Sequence, residues 1–532
     1  MPISKIAGAQ ICQPVVLAAL AWPWLNPFAF GPSAPVLQSL FSLVAIASLL
    51  LLLAWRVAAA TLPTLLAGAW LLAAVLSSLI AIVQYLGYSG HLAPWVNATA
   101  VGEAFANLRQ RNQFATLTSI GLVLLLWAPL PDRWMLGGEL ASRGIPGWAR
   151  RYWPHAAAML LAVGNAASSS RTGLVQLLLL VPLTLLWNGT RNRSAWQVLV
   201  AALVAYAAAT FLLPALLGLD PLSHGIASRF RAETLPCGSR LILWSNVLQL
   251  IAQKPWLGWG WGELDYAHFI NLYPGPRFCE ILDNAHNLPL HLAVELGVPF
   301  ALLCCSTAAW LVWRARPWRE AHPARRMAWA VLAMILLHSM LEYPLWYGPF
   351  QLAVGLCFWV LWSTRLWAPG GSGAQVLAHN APSSTDHSPF TKAASTGIAV
   401  ILPLCAAYAA WDYHRISQIY LPVKSRSAAY REDTLEKIQA SWLFRNQVRF
   451  ANLTTTELTP QNAAQVNTMA HELLHFSPEG RVVEKLIESA VMLGRDDEAL
   501  AYSARYRAAF PSEYKLWTET NRVPPTARVP LN

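Results

Sequence analysis

The run TLPTLLAGAWLLAAVLSSLIAIV (residues 61–83) contains no charged residue and is long enough to cross a bilayer as a single helix. Apolar runs of this kind recur along the first 412 of the 532 residues. The predicted spans are 11–30, 36–55, 61–83, 113–130, 154–168, 172–188, 197–219, 286–313, 327–345, 348–365 and 396–412. The sequence therefore predicts an all-α, polytopic membrane protein with about eleven transmembrane helices.

The composition supports this fold class. Hydrophobic residues make up 55% of the chain and charged residues only 12%, whereas a soluble protein has roughly a quarter charged residues. The 26 tryptophans fit a membrane protein, because indole rings favour the membrane–water interface. The first apolar stretch follows a single lysine, Lys5, and contains three prolines. We expect it to remain as the first helix and not to be removed as a signal peptide.

Most of the net charge of +11 lies in short loops. Residues 413–532 hold 15 basic and 13 acidic residues, so an excess of +9 lies in the membrane part. Most of it falls in alternate gaps between the predicted spans, for example at Arg150, Arg151, Arg325 and Arg326. By the positive-inside rule these gaps face the cytoplasm. The charge therefore indicates topology and argues against a nucleic-acid partner.

An odd number of spans places the C-terminal segment outside the cytoplasm, in the periplasm of a Gram-negative cell. We predict a membrane core over 1–365 with a periplasmic loop over 220–285, a cytoplasmic linker over 366–395 and a last span over 396–412. The remaining segment, 413–532, has the pattern of soluble helices. In it Pro478 and Pro511 stand 33 residues apart, close to the tetratricopeptide period of about 34. We expect a helical, repeat-like periplasmic domain.

Some arginines lie on the predicted periplasmic side, against the charge rule. Arg171 in SSSRTG (168–173) joins two spans through a tight turn, so its guanidinium lies at membrane level. A charge there is costly unless it is paired or solvated, which makes it a candidate functional residue. Arg240 begins an apolar helical stretch that we expect to lie against the membrane. For Arg229, Arg231 and Arg277 we expect solvated loop positions. Arginine is well suited to bind phosphate, so these positions indicate an anionic, lipid-borne substrate.

Amide side chains occur beside the start of the fourth span. The segment LRQRNQFATL (108–117) contains Gln110 and Asn112. These amides either cap the helix or hydrogen-bond sugar hydroxyls, and the residues alone do not decide between the two.

Histidines occur at the outer ends of two other spans. In DNAHNLPLHLAVELG (283–297), His286 and Asn287 precede an apolar run, and His291 is one helical turn from Glu295. A histidine at the mouth of a membrane helix is able to act as a general base on a hydroxyl group. His338 and Glu342 have the same i, i+4 spacing in HSMLEYPLWYG (338–348), where the role of His338 stays open. Together with the arginines, this chemistry indicates transfer from a phosphorylated lipid to an alcohol.

Several motifs resemble those of a known superfamily. The pair HN at 286–287 followed by Gly297, SRTG (170–173), RQRNQFA (109–115) and LEYPLWYGPF (341–350) are similar to motifs of bacterial O-antigen ligases and their relatives. That superfamily includes O-antigen polymerases and PglL-type general O-oligosaccharyltransferases, and the resemblance is nearest to the PglL type.

The resemblance implies a metal-independent glycosyltransferase without a cofactor, located in the bacterial inner membrane with its active site in the periplasm. Arg171 and Arg240 would hold the pyrophosphate of an undecaprenyl-pyrophosphate-linked oligosaccharide, and His286 would activate the acceptor hydroxyl. The acceptor would be a Ser or Thr of a periplasmic protein such as a pilin, with lipid A core or a growing glycan as alternatives. The further residues expected to bind substrate are Gln110, Asn112, Asn287, His338, Glu342 and Tyr343.

Two of the seven cysteines, Cys237 and Cys279, fall in the large outer loop, while the other five lie in apolar spans. The periplasm is oxidising, so we expect the loop pair to form a disulfide bond.

A transporter or lipid flippase is the main competing interpretation, because it would also have many spans with buried polar groups. The membrane part shows no internal repeat, however, and its polar residues cluster at the outer face and not at the midplane. A tetratricopeptide scaffold on a membrane anchor would require neither eleven spans nor Arg171.

Overall fold

The computed structural model describes residues 3–28, 34–55, 61–128, 147–190, 192–226, 237–364 and 389–521. Within these ranges the regular elements are helices, and no strand occurs. The first seven are α1 (Ile3–Leu25), α2 (Ala34–Trp55), α3 (Leu62–Tyr85), α4 (Arg111–Trp127), α5 (Gly147–Ala167), α6 (Arg171–Asn188) and α7 (Arg193–Leu216).

The helices of the predicted outer loop and of the following span come next. They are α8 (Arg240–Gln253), α9 (Leu264–Ile270), α10 (Leu288–Leu296) and α11 (Val298–Ala315). Three further long helices follow, namely α12 (Pro323–Ser339), α13 (Gly348–Ser363) and α14 (Pro389–Ser417). The tail then folds into α15 (Thr434–Ile438), α16 (Arg445–Thr455), α17 (Ala463–Leu474), α18 (Gly480–Met492), α19 (Asp496–Ala509) and α20 (Pro511–Thr520).

Five of the described helices are long and apolar enough to cross a membrane: Leu62–Tyr85, Arg171–Asn188, Arg193–Leu216, Val298–Arg319 and Thr396–Tyr420. Shorter apolar helices cover Gln13–Leu25, Pro35–Leu51 and Gly348–Ser363. These features agree with a membrane protein.

Each of the eleven apolar runs contains helix, but the predicted continuous helix over 286–313 was wrong. The helix is interrupted at Gly297, which has a φ of +90° and separates α10 from α11. A residue in this left-handed region cannot continue an α-helix.

The described structure divides into two compact units. The first, here the bundle unit, comprises residues 1–232 and 311–410. Its central element is α4, which packs against α3, α5, α6 and α12 and is buried along most of its length. The polar residues at the start of α4 are therefore held in a well-packed part of this unit.

Two buried amides hold the irregular segment that leads into α4. Gln84 donates to the Asn97 and Ala106 carbonyls, both at 2.8 Å, and accepts from the Ala106 amide at 2.7 Å. Asn107 donates to the Leu25 carbonyl at 2.8 Å and to the Trp95 carbonyl at 3.0 Å. Because these bonds satisfy buried backbone groups, they fix the path of the chain up to Gln110.

The second unit, here the loop–tail unit, comprises residues 233–310 and 411–532. The predicted outer loop thus folds with the tail. Phe269 of α9 belongs to the same hydrophobic core as Leu453, Leu473 and Leu486 of the tail. Polar contacts accompany this core, including Arg505 Nε donating to the Ile270 carbonyl at 2.9 Å.

Arg277 differs from its expected solvated position. It is half-buried in the loop–tail unit and donates to the carbonyls of His268 and Asn271, both at 2.8 Å. Burial lowers its pKa to about 10, and its guanidinium holds the C-terminal end of α9. Arg229 and Arg231 lie outside the described residues.

Candidate active site

Ser170 sets the position at which Arg171 is presented in the bundle unit. Ser169 has a φ of +51°, and Ser170 then caps α6 by accepting the Gly173 amide at 3.0 Å. A serine cap at this position is a preferred start for a helix. Arg171 is therefore the first residue of α6, where the helix dipole adds to the charge of its side chain.

The Arg171 side chain is exposed, and no hydrogen bond or ion pair joins its guanidinium to any other residue that the structure describes. An exposed fork of donors at the positive end of a helix is suited to an anionic ligand. This geometry supports a phosphate ligand at Arg171.

Asn112 connects the start of α4 to two other elements of the bundle unit. Its Nδ2 donates to Glu342 Oε1 at 3.0 Å, and its Oδ1 accepts from Ser170 Oγ at 2.6 Å. Gln110 also faces Glu342, with its Nε2 3.4 Å from Oε2. The structure thus brings Gln110, Asn112 and Glu342 together next to the turn that presents Arg171.

His338 is fully buried in α12, four residues before Glu342. Its Nδ1 lies 2.9 Å from Thr116 Oγ1, which also receives a hydrogen bond from Gln176 Nε2 at 2.9 Å. Gln176 further donates to the Met334 carbonyl at 3.0 Å. The network joins α4, α6 and α12, so it favours a structural role for His338 over contact with substrate.

Tyr343 follows Glu342 and is half-buried, with its ring stacked on that of Tyr347 at 6.1 Å between centroids. Sequence reasoning missed Ser170, Thr116 and Gln176. Only Ser170 had a local signal, as a serine directly before a helix.

The other candidate residues belong to the loop–tail unit. Cys237 and Cys279 are joined by a disulfide with 5.2 Å between their Cα atoms. Ser239, two residues after Cys237, caps α8 by accepting the Ile242 amide at 3.3 Å. Arg240 is therefore the first residue of α8 and is half-exposed.

His286 has a left-handed backbone with a φ of +50°, which is uncommon for a residue other than glycine and is often found at functional sites. Its amide donates to Asn284 Oδ1 at 2.9 Å. Trp244 Nε1 of α8 donates to the Ala285 carbonyl at 3.1 Å, so the helix that begins at Arg240 contacts the turn that presents His286.

Asn287 caps α10 by accepting the Leu290 amide at 3.2 Å, so its side-chain oxygen has a structural role. Within α10 the buried His291 and Glu295 face each other, with Nε2 and Oε2 3.4 Å apart. The predicted residues therefore form two groups, one in each unit.

Three protein-family models match the chain. One described as O-antigen ligase matches residues 156–305, which include Arg171, Arg240 and His286. One described as protein glycosylation ligase matches residues 104–127, which include Gln110 and Asn112. The third, described as the C-terminal part of a virulence factor membrane-bound polymerase, matches residues 326–523.

Two curated proteins of Acinetobacter baylyi are similar to the chain. A general O-oligosaccharyltransferase is 29% identical over 293 residues, which cover 53% of this chain and 47% of the relative. A ComP-specific O-oligosaccharyltransferase is 24% identical over 260 residues, covering 49% of this chain and 44% of the relative. The match thus spans about half the length of these relatives. Taken together, the chain is similar in separate segments to O-antigen ligases and to PglL-like protein glycosylation ligases.

Proposed function

We propose that this protein is an O-oligosaccharyltransferase that moves a preassembled glycan from undecaprenyl pyrophosphate to Ser or Thr hydroxyls of periplasmic proteins such as pilins. The observation that carries the proposal is the group formed by Gln110, Asn112 and Glu342 beside the guanidinium of Arg171, which has no partner among the described residues. The first two of these residues lie in the segment matched by the protein glycosylation ligase model.

The reaction joins the acceptor oxygen to the anomeric carbon of the glycan and breaks the bond from that carbon to the pyrophosphate. Undecaprenyl pyrophosphate leaves with the bonding electrons, and the hydroxyl proton passes to His286. Arg171 and Arg240 stabilise the negative charge that develops on the pyrophosphate, which is an effective way for fixed donors to accelerate a reaction. Gln110, Asn287 and Tyr343 orient the sugar or the acceptor, and orientation lowers the barrier further.

We further propose the topology in which this chemistry takes place. Eleven spans cross the inner membrane, the N-terminus is cytoplasmic, and residues 220–285 and 413–532 lie in the periplasm, where the disulfide of the loop is stable. Residues 366–395 form a cytoplasmic linker, of which 366–388 lie outside the described residues. The helices α18 and α19, which follow Pro478 and precede Pro511, form the tetratricopeptide-like part of the tail.

Other acceptors are the alternative within the same chemistry. Family descriptions that name an O-antigen ligase and a polymerase match other parts of the chain. Ligation to lipid A core, or extension of a glycan, would use the same donor and the same arginines.

The test is transfer in vitro by the full-length protein in nanodiscs, with undecaprenyl-pyrophosphate-linked oligosaccharide and a pilin as acceptor. Arg171→Ala removes the proposed phosphate ligand. Arg193→Ala is its matched control, because Arg193 is also the exposed first residue of a long apolar helix but lies on the predicted cytoplasmic side. His286→Asn removes the base, while asparagine tolerates the left-handed backbone of that turn.

We expect glycosylated pilin from the natural chain and from Arg193→Ala, and a loss of at least a hundredfold in the other two variants. Transfer only to lipid A core or to longer glycans would replace the proposed acceptor. Absence of turnover with every acceptor would contradict the proposal and favour a transporter.

A further inference from the structure

Helix α8 of the loop–tail unit has one face that the described residues leave uncovered. Leu241 and Leu248 on this face are 77% and 54% exposed. The opposite face packs into the core of the unit through Leu243, Val247 and Leu250. No charged residue lies between Leu241 and Gln253. The uncovered face is therefore uncharged along its length, with the exposed Ser245 between the two leucines, and an uncharged face is unusual for a helix facing water.

The loop that follows α8 extends this apolar surface. Trp256 and Leu257 are 76% and 86% exposed. Trp259, two residues later, turns inward, and its Nε1 donates to the Leu250 carbonyl at 3.0 Å. Trp256 and Leu257 are thus two adjacent, exposed apolar side chains in a loop that Trp259 attaches to α8.

This loop is fixed to the first residue of α11. The Val298 amide donates to the Pro255 carbonyl at 2.8 Å, and the Trp259 amide donates to the Val294 carbonyl at 2.9 Å. Residues Val298–Arg319 form a candidate membrane span of which only 6% is buried within the protein, so lipid is its natural surrounding. The Trp256–Leu257 pair is therefore held at the level where this span begins.

We propose that Leu241, Leu248, Trp256 and Leu257 form an interfacial patch that inserts into the headgroup–acyl boundary of the bilayer entered by α11. Tryptophan and leucine on one side of an amphipathic element are typical of such insertion. Lipid is the occupant that the structure favours, because the patch is continuous with the start of a lipid-surrounded helix.

The patch has a consequence for Arg240, which directly precedes Leu241 at the start of α8. Insertion of the patch holds the Arg240 guanidinium at the depth of lipid phosphates. This consequence rests on the proposed function, in which Arg240 contacts the pyrophosphate of a lipid-borne donor. The insertion itself does not rest on the proposed function, because it is measured without enzymatic turnover.

The experiment uses the full chain in nanodiscs, with every cysteine outside the disulfide replaced by alanine. A nitroxide spin label is attached at Leu257→Cys or at Leu241→Cys. Leu500→Cys in α19 is the matched control, because Leu500 is 69% exposed on a helix of the tail. Power-saturation spectra then compare collision with oxygen, which concentrates in lipid, and with a water-soluble nickel chelate.

We expect the ratio of oxygen to nickel collisions to be at least threefold higher at positions 241 and 257 than at position 500. A ratio at either patch position that equals the ratio at position 500 overturns the proposal. Such a result would indicate a water-facing surface available to a protein partner. Folding of each variant is checked by the presence of the Cys237–Cys279 disulfide, so an unfolded variant is not scored.

Discussion

Asn112 uses both atoms of its side-chain amide within the protein, one on Glu342 and one on Ser170. Each of these two atoms is able to form a second hydrogen bond, so the contacts position the side chain and leave one donor and one acceptor for a sugar hydroxyl. Its position next to the Arg171 turn indicates that it orients that turn. We propose this orienting role beside the two interpretations left open by the sequence, a cap or a sugar ligand.

Asn112→Asp tests this orienting role. The substitution removes the donor to Glu342 and places a second carboxylate against it. Breaking a buried hydrogen bond costs roughly 1–3 kcal/mol, and like charge adds to the cost. We expect kcat/KM for the lipid-linked donor to fall by about tenfold or more. Asn192→Asp is the control, since Asn192 only caps α7 through the Ala195 amide and aspartate caps equally well. Equal activity of both variants would refute the role.

Asp265 and His268 give the loop–tail unit a pH dependence of defined sign. Burial raises the pKa of Asp265 to about 7, so the stability this group contributes is lost as the pH rises from about 4 to 7. Burial lowers the pKa of His268 to about 3, so its contribution changes in the opposite direction from about pH 3 to 6.5. The two effects offset each other over most of this range.

Asp265→Asn removes only the first of these effects. We therefore expect the variant to gain stability relative to the natural chain as the pH rises from about 4 to 7. The measurement is amide hydrogen exchange of α9, corrected for the intrinsic rate at each pH. A difference in protection that stays constant across the range would show that Asp265 is not responsible.

At the scale of elements, Gly258 and Gly297 allow two backbones to touch. A Cβ at Gly297 would overlap the Trp256 carbonyl, and one at Gly258 would overlap the Glu295 carbonyl. Because of this contact, the loop carrying Trp256 is hydrogen-bonded to the end of α10. The same contact sets the break between α10 and α11.

Gly297→Ala is expected to lower the melting temperature of the full-length protein well below that of Gly262→Ala. Both glycines have positive φ, so both variants carry strain of roughly 1–2 kcal/mol. Of the two, Gly297 faces another backbone, whereas no described residue other than its chain neighbours lies within 4 Å of a Cβ at Gly262. Thermal unfolding followed by intrinsic fluorescence compares the two. Equal melting temperatures would contradict the role of the contact.

The sequence located the apolar helices because hydrophobicity over about 20 residues is a local signal. It did not reveal the break at Gly297, since the apolar run continues on both sides and the cause is a contact with the distant Trp256 carbonyl. The prediction of the candidate site from the sequence is limited in the same way, because long-range contacts leave no local pattern. Arg171 is identified by its charge at membrane level, but the bond from Ser170 to Asn112 spans 58 residues and leaves no local pattern.

At the scale of the whole molecule, the proposed topology predicts the location of each end of the membrane part. Alkaline phosphatase fused after Thr520 should be active, because the tail is exported. Green fluorescent protein fused at the same position should not fluoresce. Fusions after Ser363, at the end of the tenth predicted span, should give the reverse. A fluorescent fusion after Thr520 would require an even number of spans and would move the tail into the cytoplasm.

The association of the outer loop with the tail could not be anticipated from either segment alone. Phe269 is one apolar residue in a loop, and a single residue has no periodicity that reveals a partner. In the sequence, its partners in the core, such as Leu473 and Leu486, have the spacing of apolar residues in any amphipathic helix. Only the folded structure shows that they share one interior.

That shared interior has a consequence for how the protein is made. The two segments of the loop–tail unit are separated along the chain by residues 311–410. At about 5–20 residues per second, a ribosome completes Phe269 roughly 10–40 s before the tail leucines that cover it. During this interval Phe269 and the apolar residues around it lack the tail residues that cover them in the folded protein. A message truncated after residue 410 would leave these residues uncovered permanently and mark the product for proteolysis.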